Sequence, residues 1–182
     1  MDLALVVVAA LSPDGRELRH AQIVRGVLGE SRIVETIDLV AEGVTPAMSR
    51  TERIRYETDE PIVDSVIAVH ADLVARAETM VFIFPTRWWS APPILKAWME
   101  RTFVPGVAFT LDSKRRVRPN LGELRSLAGV TTHERPAAIA AGGDGARRIL
   151  LRTMRLNAPR RVRNEWLVDA DEATIATRIG RL

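Results

Sequence analysis

A doubly wound α/β sheet is the fold class that this sequence predicts, and three observations carry it. Apolar runs of strand length alternate with stretches of helical period along the chain, the pattern of parallel strands joined by helical crossovers. The runs from Leu3 to Ala10 and from Met80 to Pro85 are apolar without alternation, as strands covered by helices on both faces must be. A length of 182 residues suits one domain with a full core. With no repeat, linker or low-complexity segment visible, residues 1-182 read as that single domain.

The first strand contains Val6, Val7 and Val8 and breaks at "SPDG", Ser12 to Gly15. From Glu17 the apolar positions Leu18, Ala21, Ile23, Val24, Val27 and Leu28 recur at helical spacing, with Gly29 as a stop. Arg32 to Asp38 reads as a second strand. Ser49 and Glu52 have capping-box spacing, which predicts a short helix ending before Pro61. Ile62, Val63, Val66, Ile67, Val69, Leu73 and Val74 predict a longer helix running to Arg76. Met80 to Pro85 is the central strand, the third. Pro93 suits a first helical turn, where its missing N–H is not needed. Ile94, Leu95, Trp98, Met99 and Phe103 then form a helical stripe ended by Pro105 and Gly106. Thr110 to Leu124 is polar and basic and reads as an exposed excursion. Ser126 to Thr132 supplies a fourth strand, Arg147 to Leu156 a basic helix, and Val162 to Val168 a fifth strand. Asp171 to Arg181 forms a terminal helix capped by Asp169 or Asp171.

Composition removes several function classes. There is no cysteine, which excludes disulfides, thiolate metal sites and cysteine nucleophiles; any redox chemistry must belong to a bound cofactor. The first apolar run is too short to span a bilayer and lacks a basic leader, so a cytoplasmic protein without membrane insertion is expected. The net charge of +3 is carried almost wholly by arginine, Lys96 and Lys114 being the only lysines. That skew reads as a coding bias, and no nucleic-acid partner is expected, although Lys114 to Arg118 and Arg160 to Arg163 would be its basic footing.

Open parallel sheets bind ligands outside the carboxyl ends of their strands, which directs attention to three loops. The first, Ala10 to Glu17, precedes a helix whose free amides and dipole favour a phosphate; Ser12, Asp14 and Gly15 permit the tight turn, with Asp14 an opposing charge. The second, "PTRWWSAPP", holds Trp88 and Trp89. By composition such residues plug a core or an interface, yet neighbours in extended chain face opposite ways, so one of the two should lie at a surface. The third begins with His133 and Glu134, a candidate acid/base or metal pair. The other histidines, His20 and His70, fall on helices as surface or packing residues, so no metal is expected. No catalytic residue is assigned beyond His133 as a possible one.

The segment "PTRWWSAPPILKAWMERTFVPGVAF" resembles the signature of the flavodoxin-like NAD(P)H:quinone oxidoreductases. The matching places are Pro85, Trp88, Trp89, Pro92, Leu95, Lys96, Trp98, Glu100, Arg101, Phe103, Pro105 and Gly106. Ile37 to Leu39, "MSRTERIRY" and "GVTTHERP" resemble further segments of that family, so the likeness covers most of the chain. It implies a flavodoxin-like sheet of five parallel strands in the order 2-1-3-4-5 with helices on both faces. It also implies a homodimer, here through Ile94 to Phe109, a tightly bound FMN or FAD, and hydride transfer from NAD(P)H through the flavin to a quinone or similar small-molecule acceptor.

By that resemblance the amides of Arg87, Trp88 and Trp89, following Pro85 and Thr86, face the flavin O4 and N5 edge, where backbone donors favour the reduced ring. Thr131, Thr132, His133 and Glu134 approach its pyrimidine edge, and Ser12, Asp14, Gly15 and Arg16 approach its phosphate. Two loops depart from the family pattern. Its His-Pro and Ser-Phe pairs are replaced by Ala10-Leu11 and Gly15-Arg16, and a glycine-bearing stretch is replaced by His133-Glu134. The alternative expectation is therefore a flavodoxin-like protein that has lost flavin and serves as a binding or regulatory subunit.

Overall fold

The computed structural model describes residues 2–13, 15–133 and 144–182. Five parallel strands form the central sheet: β1 (Leu3–Val8), β2 (Ile33–Asp38), β3 (Thr79–Thr86), β6 (Ser126–His133) and β7 (Arg163–Val168), in the order β2-β1-β3-β6-β7. Between β3 and β6 lie β4 (Phe109–Leu111) and β5 (Val117–Pro119), an antiparallel pair. With that pair set aside, the expected order 2-1-3-4-5 is the observed one, and the order reverses between β1 and β3. Side chains of alternate residues enter two separate cores. Leu5, Val7, Phe82, Phe84 and Leu127 face one; Val6, Val8, Val81, Ile83 and Val130 face the other.

The second core is covered by α1 (Arg16–Gly29) and α6 (Glu172–Ile179), which present Ala21, Val24, Leu28, Ile175 and Ile179 to the sheet. On the first core lie α3 (Ser65–Arg76), α4 (Pro93–Thr102) and α5 (Gly145–Asn157), with α2 (Arg50–Arg55) at the rim. Trp98 of α4 is fully buried there, with its ring edge-on to Phe82 and Phe103. Within the Ile94 to Phe109 region expected to meet a partner, Trp98, Leu95 and Phe103 are buried by their own chain. Ile94, Met99, Pro105, Val107 and Phe109 of that region remain half-buried.

Three further points concern local structure. The helix expected from Ile62 begins at Ser65, because the Asp64 carboxylate accepts the amides of Val66 and Ile67 at 2.8 and 3.3 Å and fixes the N-terminus there. The terminal helix is capped by Asp171, which accepts from the amide of Thr174 at 2.7 Å, and not by Asp169. The Thr110 to Leu124 excursion holds the β4–β5 hairpin and returns to the core through Leu121 and Leu124. Its turn is organised by Asp112, which accepts the amides of Lys114 and Arg116 and the side chains of Arg116 and Arg118.

Polar groups tie α4 to the elements beside it. The predicted capping box is present: the Ser49 amide donates to Glu52 at 2.7 Å and the Glu52 amide to the Ser49 hydroxyl at 3.2 Å. The Arg101 guanidinium, buried on α4, donates to Glu52 at 2.5 Å and to Asp64 at 2.7 Å. One cation thus joins the capping box of α2 to the N-cap of α3. His70 is likewise a packing residue. Trp98 donates its indole N–H to Nδ1 at 3.2 Å; an indole nitrogen cannot accept, so the ring proton sits on Nε2, which donates to Glu42 at 2.8 Å. Among the described residues no helix is long and apolar enough to cross a membrane.

Candidate functional site

The reversal of strand order places the carboxyl ends of β1 and β3 at the crevice where open α/β sheets take ligands. At that point β3 runs straight into a two-residue turn. The amide of Arg87 donates to the Ser90 carbonyl at 3.1 Å and the amide of Ser90 to the Arg87 carbonyl at 2.9 Å. Trp88 and Trp89 sit at the tip with φ of 50° and 56°, the sign pattern of a type I′ turn, which favours Asn and Gly. Two bulky L-residues in the left-handed region each carry about 1–2 kcal/mol of strain, the kind of local cost that collects at functional positions.

The turn carries the expectation that one tryptophan lies at a surface further than extended chain would allow. Both are exposed, Trp88 at 92% and Trp89 at 49%. The premise of extended chain does not hold, because the chain reverses at these two residues. It also sorts the three amides: that of Arg87 is taken by Ser90, while among the described residues those of Trp88 and Trp89 meet no acceptor. The turn is braced from α5, where a Cβ on Gly145 would lie 2.3 Å from the Trp89 carbonyl oxygen. Asp144, the N-cap of α5, accepts the Trp166 indole N–H at 2.7 Å. Trp166 in turn packs against Gly129, where a Cβ would come within 2.4 Å of the ring, and edge-on to Phe84.

The end of β6 is polar and buried. Thr131 donates to the Leu167 carbonyl at 3.4 Å, Thr132 donates to the carboxylate of Glu17, and the His133 amide donates to Asp169 at 3.0 Å. Asp169 also pairs with Arg16 at 3.2 Å and lies 3.6 Å from Nδ1 of His133. Neither ring nitrogen of His133, nor the Thr86 hydroxyl beside it in register, has a hydrogen-bond partner among the described residues. Burial pushes the His133 pKa below its ordinary value, against the opposing pull of Asp169 and Asp144. His20, buried on α1, is pushed down for the same first reason.

The described residues fit one end of a flavin and oppose the other. A planar ring finds at the β3 end two unpaired amides, two exposed indoles and buried polar groups on Thr86 and His133 without partners. A phosphate finds less. Gly15, the N-cap of α1, gives no side-chain cap, and its amide is spent on the Ser12 carbonyl at 3.0 Å. The Glu17 carboxylate stands where the inside of this turn would receive an anion: a Cβ on Gly15 would meet it at 2.5 Å. The Arg16 guanidinium is already paired with Asp169.

Of the sequence-predicted residues, Pro85, Thr86, Arg87, Trp88 and Trp89 gather at the β3 end, Thr131, Thr132 and His133 at the β6 end, and Ser12, Gly15 and Arg16 at the start of α1. Asp14 and Glu134 lie outside the described residues. Sequence reading missed Glu17, Asp169 and Gly145. For Glu17 a signal was present: the buried stripe Ala21, Val24, Leu28 extended back one turn falls on Glu17 and His20, and both are buried. Asp169 and Gly145 gave none, because their roles depend on contacts across the sheet.

Residues 4–155 match the family model described as a flavodoxin-like fold. Among curated proteins, the NAD(P)H dehydrogenase (quinone) 1 of Rattus norvegicus is 31% identical over 93 residues, which covers 43% of this chain and 34% of that enzyme. The chain spans only 26% to 34% of the length of the first such relatives. Among solved structures, a Streptococcus mutans protein superposes with a TM-score of 0.76 at 23% identity, covering 98% of this chain and 97% of that one. An FMN-dependent NADH-azoreductase of Bacillus anthracis, solved in complex with FMN, superposes with a TM-score of 0.70 at 12% identity, covering 100% and 95%. With most of its length inside the family model and the sheet order to match, the chain belongs to the flavodoxin-like family, alongside the NAD(P)H:quinone oxidoreductases it resembles.

Proposed function

We propose that this protein is a flavin-dependent NAD(P)H oxidoreductase acting in the cytoplasm on a quinone or similar small-molecule acceptor. The observation that carries the reading is the Arg87–Ser90 turn at the strand-order reversal, with its two strained, exposed tryptophans, whose amides meet no acceptor among the described residues. Support comes from the rat quinone dehydrogenase and the FMN-bound azoreductase. A bound flavin, FMN or FAD, supplies two-electron hydride exchange at N5 between NAD(P)H and the acceptor. The chain supplies placement: the amides of Trp88 and Trp89 hold the ring edge, and their indoles keep water from its face. Thr86, Thr131, Thr132 and His133 form the polar floor. Ser12, Gly15 and Arg16 form the loop nearest the ribityl tail. A homodimer through Ile94 to Phe109, using the half-buried Ile94, Met99, Val107 and Phe109, belongs to the same proposal.

The test is an absorbance spectrum of the protein as isolated and after addition of flavin, followed by NADPH. A yellow protein that bleaches under NADPH and recovers with a quinone is expected. A protein that neither retains nor takes up any flavin overturns the reading. One observation favours a second reading, a flavin-free binding or regulatory subunit: the Glu17 carboxylate in the α1 cradle. That subunit would stay colourless with every flavin form.

A further inference from the structure

We propose that Glu17 turns the α1 cradle against phosphate, so that the site takes a flavin without one, riboflavin, in preference to FMN or FAD. This rests on the flavin reading above and deepens it. The N-terminus of α1 would ordinarily attract an anion through its free amides and dipole. Here a carboxylate of the chain itself already stands there. Glu17 is 6% exposed, its one oxygen accepts from Thr132 at the end of β6, and the other fills the space over Gly15.

Among the described residues, the cation that opens α1 is engaged elsewhere. Arg16, the cation facing this turn, is drawn to Asp169 of the β7 end at 3.2 Å, and Asp14 adds a further acid to the loop in sequence. A dianionic phosphate set here would meet a buried carboxylate across a few ångströms of low-dielectric protein, where like charges repel strongly. The ring end carries no such conflict. Riboflavin keeps the isoalloxazine that the Trp88–Trp89 turn suits and brings only hydroxyls to Gly15 and Ser12, which act as donors or acceptors without charge.

The experiment titrates riboflavin, FMN and FAD against the full chain and against Glu17→Gln by quenching of flavin fluorescence. In parallel, the thermal midpoint of both proteins is read with and without inorganic phosphate. Glutamine keeps an acceptor for Thr132 and removes only the charge. The expected result is riboflavin bound about tenfold or more tighter than FMN by the parent, with Glu17→Gln strengthening FMN by about tenfold and leaving riboflavin unchanged. Inorganic phosphate stabilises Glu17→Gln and not the parent. Tighter binding of FMN than riboflavin by the parent overturns the inference, as does a riboflavin-to-FMN ratio that Glu17→Gln leaves unmoved. If no flavin binds either protein, the oxidoreductase reading falls and the riboflavin preference falls with it. The phosphate arm then still decides whether Glu17 guards the cradle: equal stabilisation of both proteins overturns that part as well.

Discussion

Arg101 and Glu52 are a buried ion pair that crosses from α4 to the first turn of α2, with 2.5 Å between Nε and the carboxylate and both side chains under 10% exposed. The same guanidinium reaches Asp64 at the N-cap of α3. Since α4 follows the tryptophan turn directly, this bond sets where the turn's outgoing chain is anchored. Arg101→Ala leaves a buried carboxylate unpaired, a change that costs about 3–5 kcal/mol. Urea unfolding is expected to show that loss, and Arg101→Met with Glu52→Gln is expected to recover most of it.

Acid should destabilise the fold in two stages. His133 and His20 are held below their ordinary value, first by burial. Below about pH 6.5 the unfolded chain therefore binds protons that the folded chain refuses, and stability falls as pH falls. For Glu52, burial acts upward, but hydrogen bonds from Ser49 and Arg101 outweigh it and hold the pKa down. Its contribution is full above about pH 4.5, its ordinary value, and is lost as pH drops through the lower folded one. Thermal midpoints measured from pH 8 to pH 3 check this; a His20→Gln, His133→Asn double variant should flatten the first stage and keep the second.

Most of the fold was legible because its signals are local. The unalternating run at Met80, the capping-box spacing at Ser49 and Glu52, and Pro93 at a helix start each report on a few consecutive residues, and each stands where the sequence put it. The site was legible only to its loops. That Trp88 and Trp89 reverse the chain could not be read, since nothing in their identity favours a left-handed conformation. That Glu17 meets Thr132, 115 residues away, is a property of strand order. The hairpin at Phe109 to Pro119 was hidden because its strands are three residues long and its turn is set by one aspartate.

Replacing Trp88 by Asn and Trp89 by Gly gives the turn the residue pair that a type I′ geometry prefers. Little packing is lost at the 92%-exposed Trp88, and relief of left-handed strain, less the chain entropy that glycine adds, leaves a gain of about 1 kcal/mol. The double variant is expected to melt higher and to bind flavin more weakly. Calorimetry and fluorescence titration on the same sample read both. If the variant loses stability as well as flavin, the two tryptophans are structural and not held in strain for a ligand.

Gly145 offers a way to move the turn without altering it. Its position at the start of α5 is packed so closely that an added Cβ would stand 2.3 Å from the Trp89 carbonyl oxygen, and the obstacle is backbone, which cannot swing aside as a side-chain tip can. Gly145→Ala must therefore displace the turn, the first turn of α5, or both. Overpacking of this kind costs about 1–3 kcal/mol, and since Asp144 holds Trp166 at 2.7 Å, α5 is the less free of the two to yield. The displacement should fall on Trp89. The expected signature is a drop in flavin affinity of about tenfold or more, from a methyl group on a residue outside the turn. Melting should fall modestly, and the near-ultraviolet dichroism of the indoles should change. An alanine variant with unchanged flavin affinity and unchanged indole spectrum would show that α5 does not brace the site.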